Sequence, residues 1–201
     1  PAQRDGLLEQ AKKEGYIYPD QIYVTSDAVN YPAELETVKT FKGGLELKFR
    51  PLKPSDEDML RKQFYNLSEK SRFLRYFRAI RTMPHENMQK YVNIDYTRVL
   101  SIVGVLVRNG VERIVAEGRY AYYEEEATHE IGFAVEDEFQ GLGIATFLVN
   151  YIIRIAGEKG IKKLTALVMN ENKQMIRVLE KADIKPVVRN TEGVLEFTFN
   201  L

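Results

Sequence analysis

Glu130-Ile131-Gly132-Phe133-Ala134-Val135-Glu136-Asp137-Glu138-Phe139-Gln140-Gly141-Leu142-Gly143-Ile144-Ala145 is the stretch that decides the fold. Phe133 and Val135 alternate with smaller or polar neighbours, as in a strand. An acidic turn follows, then the loop Gln140-Gly141-Leu142-Gly143. Beyond Ala145 the apolar residues fall at Phe147, Leu148, Tyr151, Ile152 and Ile155, which is helical spacing. Small residues at such a junction let backbone N–H groups converge on one concavity at a helix N-terminus. That geometry suits a pyrophosphate, through hydrogen bonds and the positive end of the helix dipole.

Composition limits what the rest of the chain does. The 201 residues suffice for one ordinary domain and an extension. An apolar content of 44% with 29% charged residues is that of a globular protein. The 29 basic and 29 acidic residues balance, so neither nucleic acid nor an anionic membrane is expected as a partner. No apolar run approaches the ~20 residues of a membrane span. The absence of cysteine excludes disulfides, zinc-thiolate sites and cysteine nucleophiles, and makes a reducing cytoplasm the default location. With His85 and His129 the only histidines, no histidine-rich metal site is expected. The chain begins at Pro1 rather than methionine, which reads as a fragment or a processed form.

Residues 1–44 read as an extension or a linker from an upstream domain, with a short helical stripe at Leu7, Leu8 and Ala11. From residue 45 the patterning strengthens. Leu45, Leu47 and Phe49 alternate with charged residues and predict a strand, ended by Pro51 and Pro54. Ser55, with Asp58 three residues later, predicts the cap of a helix running to about Asn66. Further helices are expected after Ser68 and from Glu86 to Val92. Residues 98–136 read as three antiparallel strands, the first buried on both faces and joined to the second by Asn109-Gly110. Gly118 marks a bulge or a close approach. Glu124-Glu125-Glu126 reads as a solvated turn. After the long helix, Leu164–Met169 predicts a strand, Asn170-Glu171-Asn172 a helix start, and residues 187–199 a hairpin.

This order, with Gln140-Gly141-Leu142-Gly143-Ile144-Ala145 at the strand-to-helix junction, resembles the GNAT acyltransferase superfamily. The family signature is Gln/Arg-x-x-Gly-x-Gly/Ala, and residues 140–145 match each defined position. The resemblance covers residues 45–201. Tyr31-Pro32-Ala33-Glu34-Leu35, Phe49–Asp56 and Leu67–Phe77 are similar to the bacterial protein-lysine acetyltransferases that modify acyl-CoA synthetases. Residues 4–20 resemble the tail of acetyl-CoA hydrolase/transferase proteins, which points to the C-terminal domain of such a fusion.

The resemblance implies an α+β fold in α/β/α layers. Its mixed, mostly antiparallel sheet would have about seven strands, with helices on both faces and a splayed fourth and fifth strand. It implies an acetyl-CoA-dependent N-acetyltransferase without a metal, acting on an amine, foremost a protein lysine. Phe133 and Val135 would pair with the pantetheine arm. Gln140 and the amides of Gly141, Leu142, Gly143, Ile144 and Ala145 would hold the diphosphate. Asn172 would bond the pantetheine, cap its helix, or both. Glu130 is the general-base candidate, against the alternative of a structural carboxylate at a strand end. His129, by alternation, faces the other way. Family members often carry a tyrosine acid seven residues after this asparagine; here the position is Leu179. Two other functions stay open on the sequence: a non-catalytic module sensing acetyl-CoA for an attached domain, and an acetyltransferase of small-molecule amines.

Overall fold

The structure is a computed structural model and describes residues 31–201; the stripe at Leu7–Ala11 and the resemblance over residues 4–20 lie outside the described residues. The strands are β1 (Thr37–Thr40), β2 (Glu46–Pro51), β3 (Val99–Arg108), β4 (Val111–Tyr123), β5 (Thr128–Val135), β6 (Lys163–Met169), β7 (Val187–Thr191) and β8 (Val194–Asn200). The helices are α1 (Glu57–Asn66), α2 (Glu69–Tyr76), α3 (His85–Val92), α4 (Ile144–Glu158) and α5 (Lys173–Glu180). One sheet of eight strands runs β1-β2-β3-β4-β5-β6-β8-β7. Every neighbouring pair is antiparallel except β5 and β6.

The strand beyond the expected seven is β1. It lies ahead of residue 45 and pairs with β2 from Thr37↔Phe49 to Thr40↔Glu46. Thr-Val-Lys-Thr is β-prone but has a single apolar residue, and an edge strand needs no alternation to bury. The segment 31–44 is also tied to the core. Leu35 is buried, and its carbonyl accepts the Tyr151 hydroxyl at 2.7 Å. Phe41 meets Phe49 and Phe147 edge-on, at centroid distances of 5.9 and 6.0 Å.

Local chemistry explains most boundaries. In β3 every residue from Leu100 to Leu106 is buried, as its unbroken apolar run requires. Asn109 and Gly110 turn the hairpin with φ of 52° and 76°. Gly118 is a close approach and not a bulge: a Cβ there would meet Phe133 at 3.0 Å and Leu148 of α4 at 3.4 Å. The bulge lies nearby, where Gly104 pairs with Ala116 and Val105 with Ile114, leaving Val115 as the extra residue. The expected cap at Ser55 is corrected. Pro54–Asp56 forms a 3-10 turn, and Asp56, not Ser55, accepts the Lys53 N–H at 2.8 Å. Buried Asp56 is held by Arg50 through two bonds of 2.6 and 2.8 Å, so the acid is fixed before α1 begins. Ser68 does cap α2, accepting the Ser71 N–H at 3.1 Å.

Helices cover both faces. Gly132 of β5 faces α2, whereas Gly118 of β4 and its partner Phe133 face α4. α4 buries Ile144, Leu148, Ile152 and Ile155 against the sheet, one residue per turn.

Candidate active site

The site begins where the sheet stops being a sheet. β5 and β6 pair in register only at His129↔Leu164 and Glu130↔Thr165. Beyond Glu130 the strands diverge and leave a wedge, part of a groove of about 690 Å³ lined from both strands. Period-two geometry fixes which backbone groups face it. The Glu136 N–H bonds back to Val115 of β4, and the His129 carbonyl accepts from Thr165 of β6. Even-numbered residues therefore turn their backbone groups toward β4, and Ile131, Phe133 and Val135 turn theirs into the wedge. The Val135 carbonyl accepts the Gln140 side-chain amide at 3.0 Å. Ile131 and Phe133 lie past the last register pair and, among the described residues, have no strand partner on that side.

One end of the groove is made of backbone. Gly141 and Gly143 have φ of 74° and 100°, the left-handed region that disfavours any Cβ, and Gly143 is the N-cap of α4. No atom of the described residues lies within 4 Å of where a Cβ of Gly141 would stand, which leaves room for a ligand to approach the chain itself. The first bond in α4 is from Phe147 N–H to the Gly143 carbonyl at 3.0 Å. The amides of Ile144, Ala145 and Thr146 are therefore left without helical acceptors. This set fits a diphosphate. Lys42 joins the groove from the turn between β1 and β2, where sequence reading saw only an extension. Leu142 is the one residue of the expected loop that does not line the groove; its side chain packs against the core.

The other end is made of side chains. Glu130 stands at the last paired position, half-buried, and burial pushes its carboxyl above the usual range despite the opposing pull of Arg75. The guanidinium of Arg75 on α2 lies flat against Gly132, its Nη1 2.6 Å from where a Cβ would be. Behind it, Glu117 and Arg119 of β4 share the same face, since they pair with Ala134 and Gly132. Glu117 is 2% exposed, accepts the Ser101 hydroxyl at 2.8 Å and lies 3.7 Å from the Arg119 guanidinium. The Arg119 guanidinium in turn covers the ring of Tyr91 at 4.7 Å. Tyr76, Tyr91 and Tyr123 complete this wall. Sequence reading missed Glu117 and Arg119. Two charges inside the apolar strand Ile114–Ala121 were the available signal.

The remaining candidates fall as follows. Phe133, Val135, Gln140, Gly141, Gly143, Ile144, Ala145 and Glu130 all line the groove. So does Asn172, whose side-chain oxygen caps α5 by accepting the Met175 N–H at 3.1 Å, leaving its amide N–H groups for a ligand. Leu179 is fully buried and forms groove wall, so no hydroxyl stands there. His129 packs against Tyr120 and Tyr122 on the face opposite Glu130, and burial lowers its imidazole. His85 bonds to Glu57, away from the groove. Among the described residues no group of three or more His, Cys, Asp or Glu is arranged to hold a metal, and no helix is long and apolar enough to cross a membrane.

Comparison with known proteins agrees with this architecture. A profile of the acetyltransferase (GNAT) family matches residues 61–183, and the chain belongs to that family. It is 26% identical over 138 residues to an acetyltransferase of Pseudomonas aeruginosa, covering 69% of this chain and 74% of that protein. It is 25% identical over 133 residues to the acetyltransferase Pat of Mycolicibacterium smegmatis, covering 66% of this chain but 39% of that longer relative. Among solved structures, the GNAT domain of S. lividans PAT superposes with a TM-score of 0.77 over 86% of this chain and 100% of that one, at 24% identity, a likeness of fold. The protein is an N-acetyltransferase of GNAT fold.

Proposed function

We propose that this acetyltransferase takes its acetyl group from acetyl-CoA held in the wedge between β5 and β6 and delivers it to a protein lysine, with Glu130 as general base. The observation that carries the reading is the position of Glu130: the last residue paired to β6, at the point where the wedge opens. The diphosphate would lie on the amides of residues 141–145, and the pantetheine along the free backbone edge of Ile131 and Phe133, with Asn172 opposite. A thioester at the end of that arm then lies beside Glu130.

The chemistry follows from those placements. An incoming lysine ammonium gives a proton to the Glu130 carboxylate, directly or through a water. The neutral amine attacks the thioester carbonyl, the C–N bond forms, the C–S bond breaks, and coenzyme A leaves as the thiolate. Leu179 offers that thiolate no proton, and a thiolate is stable enough to leave and be protonated by solvent. Burial raises the Glu130 carboxyl, which makes it a better proton acceptor than an ordinary glutamate. Activity should therefore fall on the acid side, through a midpoint above that of an ordinary glutamate.

A protein acceptor is favoured by the mouth of the groove. Tyr123 is half-exposed, and the exposed turn Glu124-Glu125-Glu126 offers negative charge to a basic segment around the target lysine. Acyl-CoA synthetases are the first candidates to try, by mass spectrometry after incubation with acetyl-CoA. Acetylation of free polyamines but of no protein would replace this reading with the small-molecule one. For mechanism, Glu130→Gln should lower turnover about 10²–10⁴-fold with coenzyme affinity unchanged. An unaltered rate and pH profile in that variant would remove Glu130 from the base role.

A further inference from the structure

Arg75 lines the groove, and among the described residues its buried Nε has no hydrogen-bond partner; its guanidinium lies against the ring of its neighbour Tyr76 at 5.3 Å. All three of its outer guanidinium atoms approach the missing Cβ of Gly132, with Nη1, Cζ and Nη2 at 2.6, 2.7 and 2.8 Å. A side chain at 132 and a guanidinium in this seat cannot coexist. Gly132 has no positive φ, so a side chain here would displace the guanidinium from its seat without straining the backbone. Glu130 is two residues away on the same strand and faces the same side.

We propose that Arg75 is a positioning residue for the transfer reaction: seated on Gly132, its guanidinium is the counter-charge that keeps Glu130 in its proton-accepting form. The inference rests on the reading of Glu130 as base, and deepens it.

The charges around Glu130 support a specific assignment. Arg75 on α2 pulls the Glu130 carboxyl down across the groove without a direct ion pair, and Glu126 from the turn before β5 opposes the effect of Arg75. From β4, Tyr123 interacts with the Glu130 charge and is itself raised, mainly by burial. Arg119 and Glu117, also on β4, lie nearest each other, and Tyr91 of α3 covers Arg119. His129 belongs to the opposite face. Arg75 is thus the cation that both Glu117 and Glu130 share, with Arg119 already engaged. Its helix is anchored independently of the groove's contents. Asp137 accepts from the Ser68 N–H at 2.9 Å and from the Ser68 and Ser71 hydroxyls at 2.8 Å each, which fixes the first turn of α2.

The test is a direct titration of Glu130 in the full chain by carbon-13 NMR of labelled glutamate, assigned with Glu130→Gln. Arg75→Gln should move the Glu130 midpoint upward by up to about one pH unit, as expected for losing an opposite charge that is not in direct contact. Gly132→Ala keeps the arginine but expels it from its seat, and should shift the midpoint the same way. Arg75→Lys, which keeps the charge, should restore most of it. A Glu130 midpoint unchanged in both Arg75→Gln and Gly132→Ala overturns the inference. The acid limb of the kcat/KM profile should follow the same shifts. A midpoint that moves while the limb stays supports the counter-charge and removes Glu130 as the base, so the two failures are distinguishable.

Discussion

The two ends of the groove are built from different materials. The Gly141–Thr146 end is a local object: six consecutive residues, two of them glycines at positive φ, presenting main-chain amides at the start of α4. The Glu130 end is assembled from separate elements, with Arg75 from α2, Tyr91 from α3, Glu117 and Arg119 from β4, and Glu130 from β5. The first end offers a ligand only groups that every residue carries. The second depends on side chains brought together across the chain, in a partly desolvated cluster where each charge leans on another. Substitutions should therefore act differently at the two ends. Coenzyme affinity should respond at the first, and rate and stability at the second.

The largest effect is expected in the side-chain cluster. Glu117→Ala leaves Arg119 buried without its acid and should cost about 3–5 kcal/mol of stability, read by urea unfolding. Next comes the backbone end. Gly143→Val puts about 1–3 kcal/mol of strain on a φ of 100°; the loop should relax away from that geometry, and recovering it on binding should weaken the coenzyme Kd read by calorimetry. Turnover at saturating coenzyme should change far less. If Gly143→Val lost turnover and kept its Kd, the contrast between the ends would collapse. Ser68→Ala, which removes the cap of α2, should destabilise the protein by about 1 kcal/mol and loosen the helix that carries Arg75. The smallest effect belongs to Lys42→Ala. A solvent-exposed cation beside a phosphate is worth about 0.2–1 kcal/mol, and its contribution should vanish in high salt.

The same contrast explains what the sequence disclosed. The glycine loop, the helix behind it and the order of elements were readable because each is a local pattern of period or turn chemistry. The splay after Glu130 followed from resemblance, since no residue between 131 and 135 announces that a neighbouring strand departs. Ser55 looked like a cap because serine often is one. Long-range pairing of Asp56 with Arg50 overrode that local preference. β1 escaped notice because an edge strand of four residues buries almost nothing. Glu117 and Arg119 were visible as charges inside an apolar strand, but Ser101 and Tyr91, which also hold them, lie on other elements, and Arg75 lay in the helix expected after Ser68 with no local feature to set it apart. What Gly132 does lies wholly in three dimensions: its φ is unremarkable, and the space it leaves is filled by the arginine above it.

The short register between β5 and β6 also has a mechanical side. β4 and β5 are laced over eight positions, from Ala116↔Val135 to Tyr123↔Thr128, whereas β5 and β6 are laced over two. The sheet is in effect two panels, β1 to β5 and β6 to β7, stitched at a single corner and backed by α4. Such a seam is where strain concentrates when the molecule is heated or pulled. Amide exchange should open first at Ile131 and Phe133, which face the seam, before the seven-position β6–β8 ladder, with the β3–β4 hairpin the last to yield.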